Sequence, residues 1–311
     1  VTSVNVLDLI RLRAKENSKP GARTDPHRLA LAVEGGGSRG AYSSGMVAEL
    51  ERRGLTEVFD DVYGSSMGAI NVIWLLAGQA EHGVSFFWHP AVMPNVIRPG
   101  ALLRGKPAVD LRFLTDRVYE RWAGLDFGAV LANPIGLHPI ATDAATGEVL
   151  DIGEFVHDAA TVKLAMRGSS GLPLLTGPLV DLGGHRLLDG GLAEAIPYRT
   201  ALRDGATHVL VLRTRRADEP VKRPSRIEDL AVTAFLRRTA PAAVASWRSR
   251  TERRAGDDER LTAASGERLQ QILVPPGSPD VSRLETDGGL IRRAVERGAS
   301  AVAEALESAA G

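Results

Sequence analysis

The sequence predicts a three-layer α/β/α fold with a mostly parallel central sheet, and three observations carry the prediction. Leu29-Ala30-Leu31-Ala32-Val33 and Val58-Phe59-Asp60-Asp61-Val62-Tyr63 are apolar runs of strand length. Each runs directly into a glycine-containing turn, Glu34 to Gly40 after the first and Gly64-Ser65-Ser66-Met67-Gly68 after the second. Each turn then opens a helical pattern. Met46, Val47 and Leu50 follow the first at helical spacing, while Ala69, Ile70, Val72, Ile73, Leu75 and Leu76 make the second apolar nearly all round, as in a buried helix. Two such units in succession imply parallel strands joined by crossovers, which puts both turns on one carboxyl edge of the sheet.

The remaining elements follow in order. Residues 1–28 hold Lys15, Lys19, Pro20, Gly21 and Pro26, a composition expected of a flexible leader. Residues 83–104 carry Phe86, Phe87, Trp88, Met93 and three prolines with no clean period, and read either as a mobile cap over the site or as an irregular packed connection. Leu111 to Trp122 has helical spacing. Leu137 to Ile140 and Glu148 to Ile152 flank a turn and read as a strand and its return. Thr161 to Met166 predicts a helix, Arg186 to Asp189 a short strand before Gly190-Gly191, and Thr207 to Leu212 a buried strand. Residues 213–229 are charge-dense and read as a surface loop. Helical patterns between Ala231 and Ala264, an edge strand at Gln271 to Val274 and an amphipathic last helix from Leu290 complete the chain. The expected organisation is the leader, then one domain over 29–311, with the site motifs within 29–214 and a helical part over 215–311.

Composition excludes more than it selects. Lys plus Arg and Asp plus Glu are both 38, so no bulk charge attracts nucleic acid or an anionic membrane. Cysteine is absent, which removes disulfides, thiolate catalysis and Cys-ligated zinc, and fits a reducing compartment. No apolar run reaches the ~18 residues a membrane span needs. The run from Val4 to Leu12 carries Asp8 and Arg11 and does not read as a signal peptide, so the expected location is the cytoplasm, with peripheral membrane contact.

Chemistry concentrates at the two turns. A serine at the apex of a tight strand-to-helix bend presents its hydroxyl at a helix N-terminus, and the flanking Gly64 and Gly68 remove Cβ atoms that would collide there. Ser66 is the candidate nucleophile. The loop of Gly35, Gly36, Gly37 and Gly40 admits two readings, a dinucleotide site or an oxyanion hole; a Walker loop fails because no Lys-Ser or Lys-Thr follows Gly40. The dinucleotide reading needs a ribose-binding acid, and Asp60 and Asp61 lie inside the second strand rather than at its end. Oxyanion donors are worth roughly 100- to 1000-fold in rate each. For a base, none of the histidines stands in a carboxyl-edge turn. Asp189, at a strand end before Gly190 and Gly191, is the alternative, since burial raises a carboxylate's basicity.

Three segments taken together, Glu34-Gly35-Gly36-Gly37-Ser38-Arg39-Gly40, Gly64-Ser65-Ser66-Met67-Gly68 and Asp189-Gly190-Gly191, resemble the motifs of bacterial patatin-like phospholipases. The likeness runs from about Leu29 to about Thr214, with Ala141-Thr142-Asp143, Ser169-Ser170-Gly171-Leu172-Pro173 and Ala195-Ile196-Pro197 as supporting blocks. Glu34, Gly171 and Ala195 depart from the commoner Asp, Ala and Asn. The resemblance implies lipid ester hydrolysis by a Ser-Asp dyad, with Ser66 as nucleophile, Asp189 as base and the glycine amides as oxyanion hole. Arg39 would steady the loop or meet a substrate phosphate. It implies no metal and no cofactor, and a lipid or small-ester substrate rather than nucleic acid as partner. Two alternatives stay open at this point: a catalytically silent lipid- or partner-binding module, and a nucleotide-binding protein using the Gly35–Gly40 loop.

Overall fold

Strand β1 (Leu29–Val33) is buried on both faces because parallel neighbours flank it and helices cover it above and below. A computed structural model describes residues 4–219, 223–264 and 266–308 of the chain. Strands β2 (Asp61–Ser65), β3 (Gly136–Asp143), β4 (Val149–Asp151), β5 (Val180–Leu182), β6 (His185–Asp189), β7 (His208–Arg216) and β8 (Leu269–Val274) join β1 in one sheet, in the order β5-β6-β3-β2-β1-β7-β8 with β4 also on β3. The run from β3 to β8 is parallel, while β4 and β6 pair antiparallel with β3.

Alternation along the strands separates the two helical layers. Leu29, Leu31 and Val33 of β1 face helices α1 (Val6–Lys15), α2 (Gly40–Arg52), α3 (Met67–Leu76) and α4 (Ala159–Ser169), together with the last helix. Ala30 and Ala32 point the other way, toward α5 (Tyr198–Arg203). Helices α6 (Arg226–Thr239) and α7 (Ala243–Ala263) lie beyond it, and α8 (Gly288–Ser308) packs on α2. The expected α/β/α layering with a mostly parallel sheet is therefore what the chain forms.

Residues 4–28 differ from the expected flexible leader. Val6, Leu9 and Ile10 of α1 are fully buried, and so is Arg13, whose guanidinium bonds Asp25, Asp60 and the carbonyls of Val58 and His27. These partners come from distant positions, so composition alone hides them. The second strand starts later than expected, at Asp61, because Thr56–Val58 is a 3₁₀ turn and Asp60 is used to bind Arg13, Arg23 and the Leu29 amide. Nor is 213–229 a surface loop throughout: β7 runs to Arg216 with Arg213, Thr214 and Arg215 buried, and α6 begins at Arg226. Leu111 to Trp122 winds mainly as a π-helix over Phe113–Trp122.

Candidate active site

The register of three strands sets the site. Strand β2 pairs with β3 as far as Ser65 opposite Ile140, and β6 takes up β3 at the next position, Asp189 opposite Ala141. Because β6 is antiparallel to β3, its end comes down to meet the end of β2. The consequence is direct contact: the Ser66 hydroxyl donates to Asp189 Oδ2 at 2.6 Å, and both residues are buried.

Each partner is held separately. Ser66 takes φ 56° and ψ −125°, a conformation side-chain-bearing residues rarely adopt, at the N-terminus of α3. A Cβ on Gly64 would stand 2.5 Å from the Ala69 amide nitrogen, and one on Gly68 would collide with the Val33 carbonyl, so the bend needs both glycines. The Ser66 amide donates to Ser169 Oγ at 2.9 Å, and that hydroxyl donates to the Ile140 carbonyl at 2.6 Å. Asp189 Oδ1 accepts from the Gly191 amide at 2.8 Å, its carbonyl accepts from Thr142 Oγ1 at 2.9 Å, and its amide donates to Gly171 O at 2.9 Å. A Cβ on Gly190 would collide with the Ile140 carbonyl. Burial pushes the Asp189 carboxyl up, against the opposing pull of the Ser66 hydroxyl, the Gly191 amide and Arg283.

The glycine loop lies against this pair. A Cβ on Gly35 would be 2.8 Å from Ser66 Cβ. Gly36 and Gly37 have φ of 154° and 60°, and their amides have no hydrogen-bond partner among the described residues. Gly35 differs from the expectation that all three glycines are donors. Its amide already donates to Ala195 O at 3.2 Å, because the loop must stay tied to the segment after β6. Arg39 pairs with Glu219 at 3.1 Å, which fastens the loop to the stretch beyond β7. Beneath it Glu34, fully buried, binds Arg213, Arg254 and the Thr214 amide. Burial pushes the Glu34 carboxyl up, but the two guanidiniums outweigh it and hold the group well below the usual glutamate range.

Ser66 borders two cavities. One is apolar, about 600 Å³ to its open mouth, walled by Phe86, Phe87, Met93, Val96, Leu114 and Tyr119 among others. Within 83–104, Phe86, Phe87, Val92, Met93, Val96 and Ile97 give the cleft an apolar wall, whereas most of 98–104, Leu102 and Leu103 included, is exposed. The other, of about 620 Å³, holds the glycine loop, Asp189 and several arginines. No histidine lines either cavity. Asp61, which a dinucleotide site would need free, is bound by Arg28 at 2.6 Å and by His138 at 3.2 Å, at the start of β2, away from the serine turn. His138, Asp151 and Asp204 are close enough to hold a cation among the described residues, but both His138 nitrogens are engaged by Asp151 and Asp61.

A family model for patatin-like phospholipase matches residues 31–202, more than half of the chain and all of the site's motifs. The chain belongs to this family. Patatin-like phospholipases are hydrolases of the phospholipase type. The Escherichia coli protein YjjU, itself uncharacterized, is 26% identical over 205 residues, covering 61% of this chain and 52% of its own. NTE family proteins of Mycobacterium bovis and Mycobacterium tuberculosis, also uncharacterized, are each 29% identical over 202 residues, covering 62% of this chain and 31% of theirs. The patatin-like chain therefore spans about half the length of the first relative and about a third of the others. Ser169 and Thr142, which fix the elbow and the carboxylate, were visible only as parts of the supporting blocks. The cavity walls from 86 to 119 carried no motif.

Proposed function

We propose that the protein is a serine acyl hydrolase that cleaves lipid esters through a Ser66–Asp189 dyad. The 2.6 Å hydrogen bond between the Ser66 hydroxyl and the buried Asp189 carboxylate carries this reading. Ser66 Oγ attacks the ester carbonyl as its proton passes to Asp189 Oδ2. The amides of Gly36 and Gly37 receive the oxyanion. Collapse of the tetrahedral intermediate breaks the bond to the alcohol, which leaves with the proton from Asp189. Water then gives a proton to Asp189 and attacks the acyl-enzyme, releasing the carboxylic acid and restoring Ser66. The apolar lining of the cleft beside Ser66 suits an acyl chain.

A serine-directed fluorophosphonate probe separates this reading from a catalytically silent binding module. Labelling at Ser66 that disappears in Ser66→Ala, with turnover of a short-chain ester, is the expected result. An unlabelled, folded protein without turnover favours the silent module.

A further inference from the structure

Arg39 and Arg254 of the second cavity help hold the glycine loop through Glu219 and Glu34, but the Arg250 and Arg283 guanidiniums make no ion pair with the loop or the dyad. Helix α7 presents Trp247, Arg250 and Arg254 on one face at spacings of three and four, β7 adds Arg215, and the stretch before α8 adds Arg283. The cavity bordering Ser66 shares Arg39, Arg250, Arg254 and Arg283 with an adjoining one of about 430 Å³, and the two are taken together as one arginine-lined chamber. Six arginines and three carboxylates, Glu219, Glu228 and Asp280, line the adjoining part, which leaves it cationic.

These charges are not fully satisfied within the chain. Glu219 is shared by Arg39 and Arg215 at 3.1 Å each, and Arg254 shares Glu34 with Arg213. Arg250 and Arg283 have no carboxylate within ion-pair distance among the described residues. Arg250 instead lies over the Trp247 ring, 3.0 Å from its centroid. The Arg215 side chain is only 9% exposed, yet its Nε has no hydrogen-bond partner, nor do Nε of Arg39 and Arg254. Buried donors left open in this way cost stability. Burial, with neighbouring guanidiniums adding to it, pulls both Arg215 and Arg250 down to about 10.

We propose that this chamber receives the phosphate of a net-anionic acyl ester, a phosphomonoester head group of the phosphatidate kind, with Arg250, Arg254 and Arg283 as its specificity residues. The inference rests on the reading of Ser66 as acyl-transfer nucleophile: acyl chain in the apolar cleft, carbonyl at Ser66, phosphate among the arginines. Guanidinium forks match phosphate oxygens in pairs. A choline or ethanolamine head would bring a further cation into the same space, so the chamber selects against zwitterionic lipids.

Calorimetric titration of the full chain carrying Ser66→Ala tests this without depending on turnover. Dihexanoyl phosphatidic acid is expected to bind roughly tenfold or more tightly than dihexanoyl phosphatidylcholine or dihexanoylglycerol, a gap of the size that charge-assisted hydrogen bonds supply. Added salt should narrow the gap, and Arg250→Gln or Arg283→Gln should each reduce it severalfold. Arg283 is exposed, so its variant keeps the test decisive if Arg250→Gln folds poorly. Inorganic phosphate that binds weakly and competes with phosphatidate supports the head-group assignment. Phosphate that binds as tightly as the lipid overturns it in favour of a free-anion site. Equal affinity for the three lipids, or a preference unmoved by the arginine substitutions, overturns the inference. Absence of probe labelling at Ser66 would sink the hydrolase reading while leaving this binding result intact.

Discussion

Asp189 is a carboxylate buried against the Ser66 hydroxyl, and that arrangement has a thermodynamic sign. Burial raises its folded pKa above the ordinary aspartate value of 3.8, so the folded state holds the proton more tightly than the unfolded state does. Stability is therefore lost as pH rises from the ordinary aspartate range through the raised value. Asp189→Asn, neutral at every pH, should melt higher than the wild type at pH 7, by about 1–3 °C for a chain of this size, and the difference should close as pH falls below the aspartate range. In the proposed reaction the same group also sets the rate. The acid limb of kcat/KM should show one ionisation lying above the ordinary aspartate range, and an acid limb that persists unchanged in the residual activity of Asp189→Asn would speak against the dyad. Ser66, Asp189 and the flanking glycines were readable in the sequence because a sharp bend leaves few residue choices. The occupied amide of Gly35 was not, since its acceptor, Ala195, lies 160 positions away in the chain.

At the level of elements, the parallel core was legible from two strand–turn–helix units, but the antiparallel arrival of β6 was not. Period and composition say nothing of strand direction, and it is this direction that brings Asp189 to the end of β2. The sequence allowed a short helix in the leader but not its burial, because its anchor, Arg13, has acceptors up to 47 residues away. The contact of α2 with α8 shows how closely two elements can depend on one atom. A Cβ on Gly298 would collide with the Tyr42 carbonyl, and one on Gly45 with the Val295 carbonyl. Gly298→Val should therefore destabilise the protein by about 1–3 kcal/mol through overpacking, measured by urea denaturation. An unchanged midpoint would mean that the helices separate without cost.

Across the whole molecule, Glu34 ties the glycine loop to β7 and α7 through Arg213 and Arg254, linking the site to the helical layer beneath it. Its carboxylate contributes stability that is complete above the ordinary glutamate range and lost as pH falls through its lowered folded value. Glu34→Gln leaves two buried guanidiniums short of a charge partner and should cost about 3–5 kcal/mol near pH 7. Measured by denaturant melts, that deficit should shrink in acid, where the wild type loses the same contribution. Among the described residues no helix is long and apolar enough to cross a membrane. The sequence marked the catalytic edge through its glycines, whereas the arginine chamber is assembled from β7, α7 and the stretch before α8, which no local pattern joins.

The most direct measurement of the central claim is the single-turnover rate at which Ser66 becomes acylated by a chromogenic short-chain ester, compared between the wild type and Asp189→Asn at matched fold and pH. A general base in contact with its nucleophile accounts for about 10²- to 10⁴-fold in rate, and a loss of that order in a variant that folds and melts no lower than the wild type is the expected result. Wild-type acylation in a folded Asp189→Asn protein would contradict the dyad.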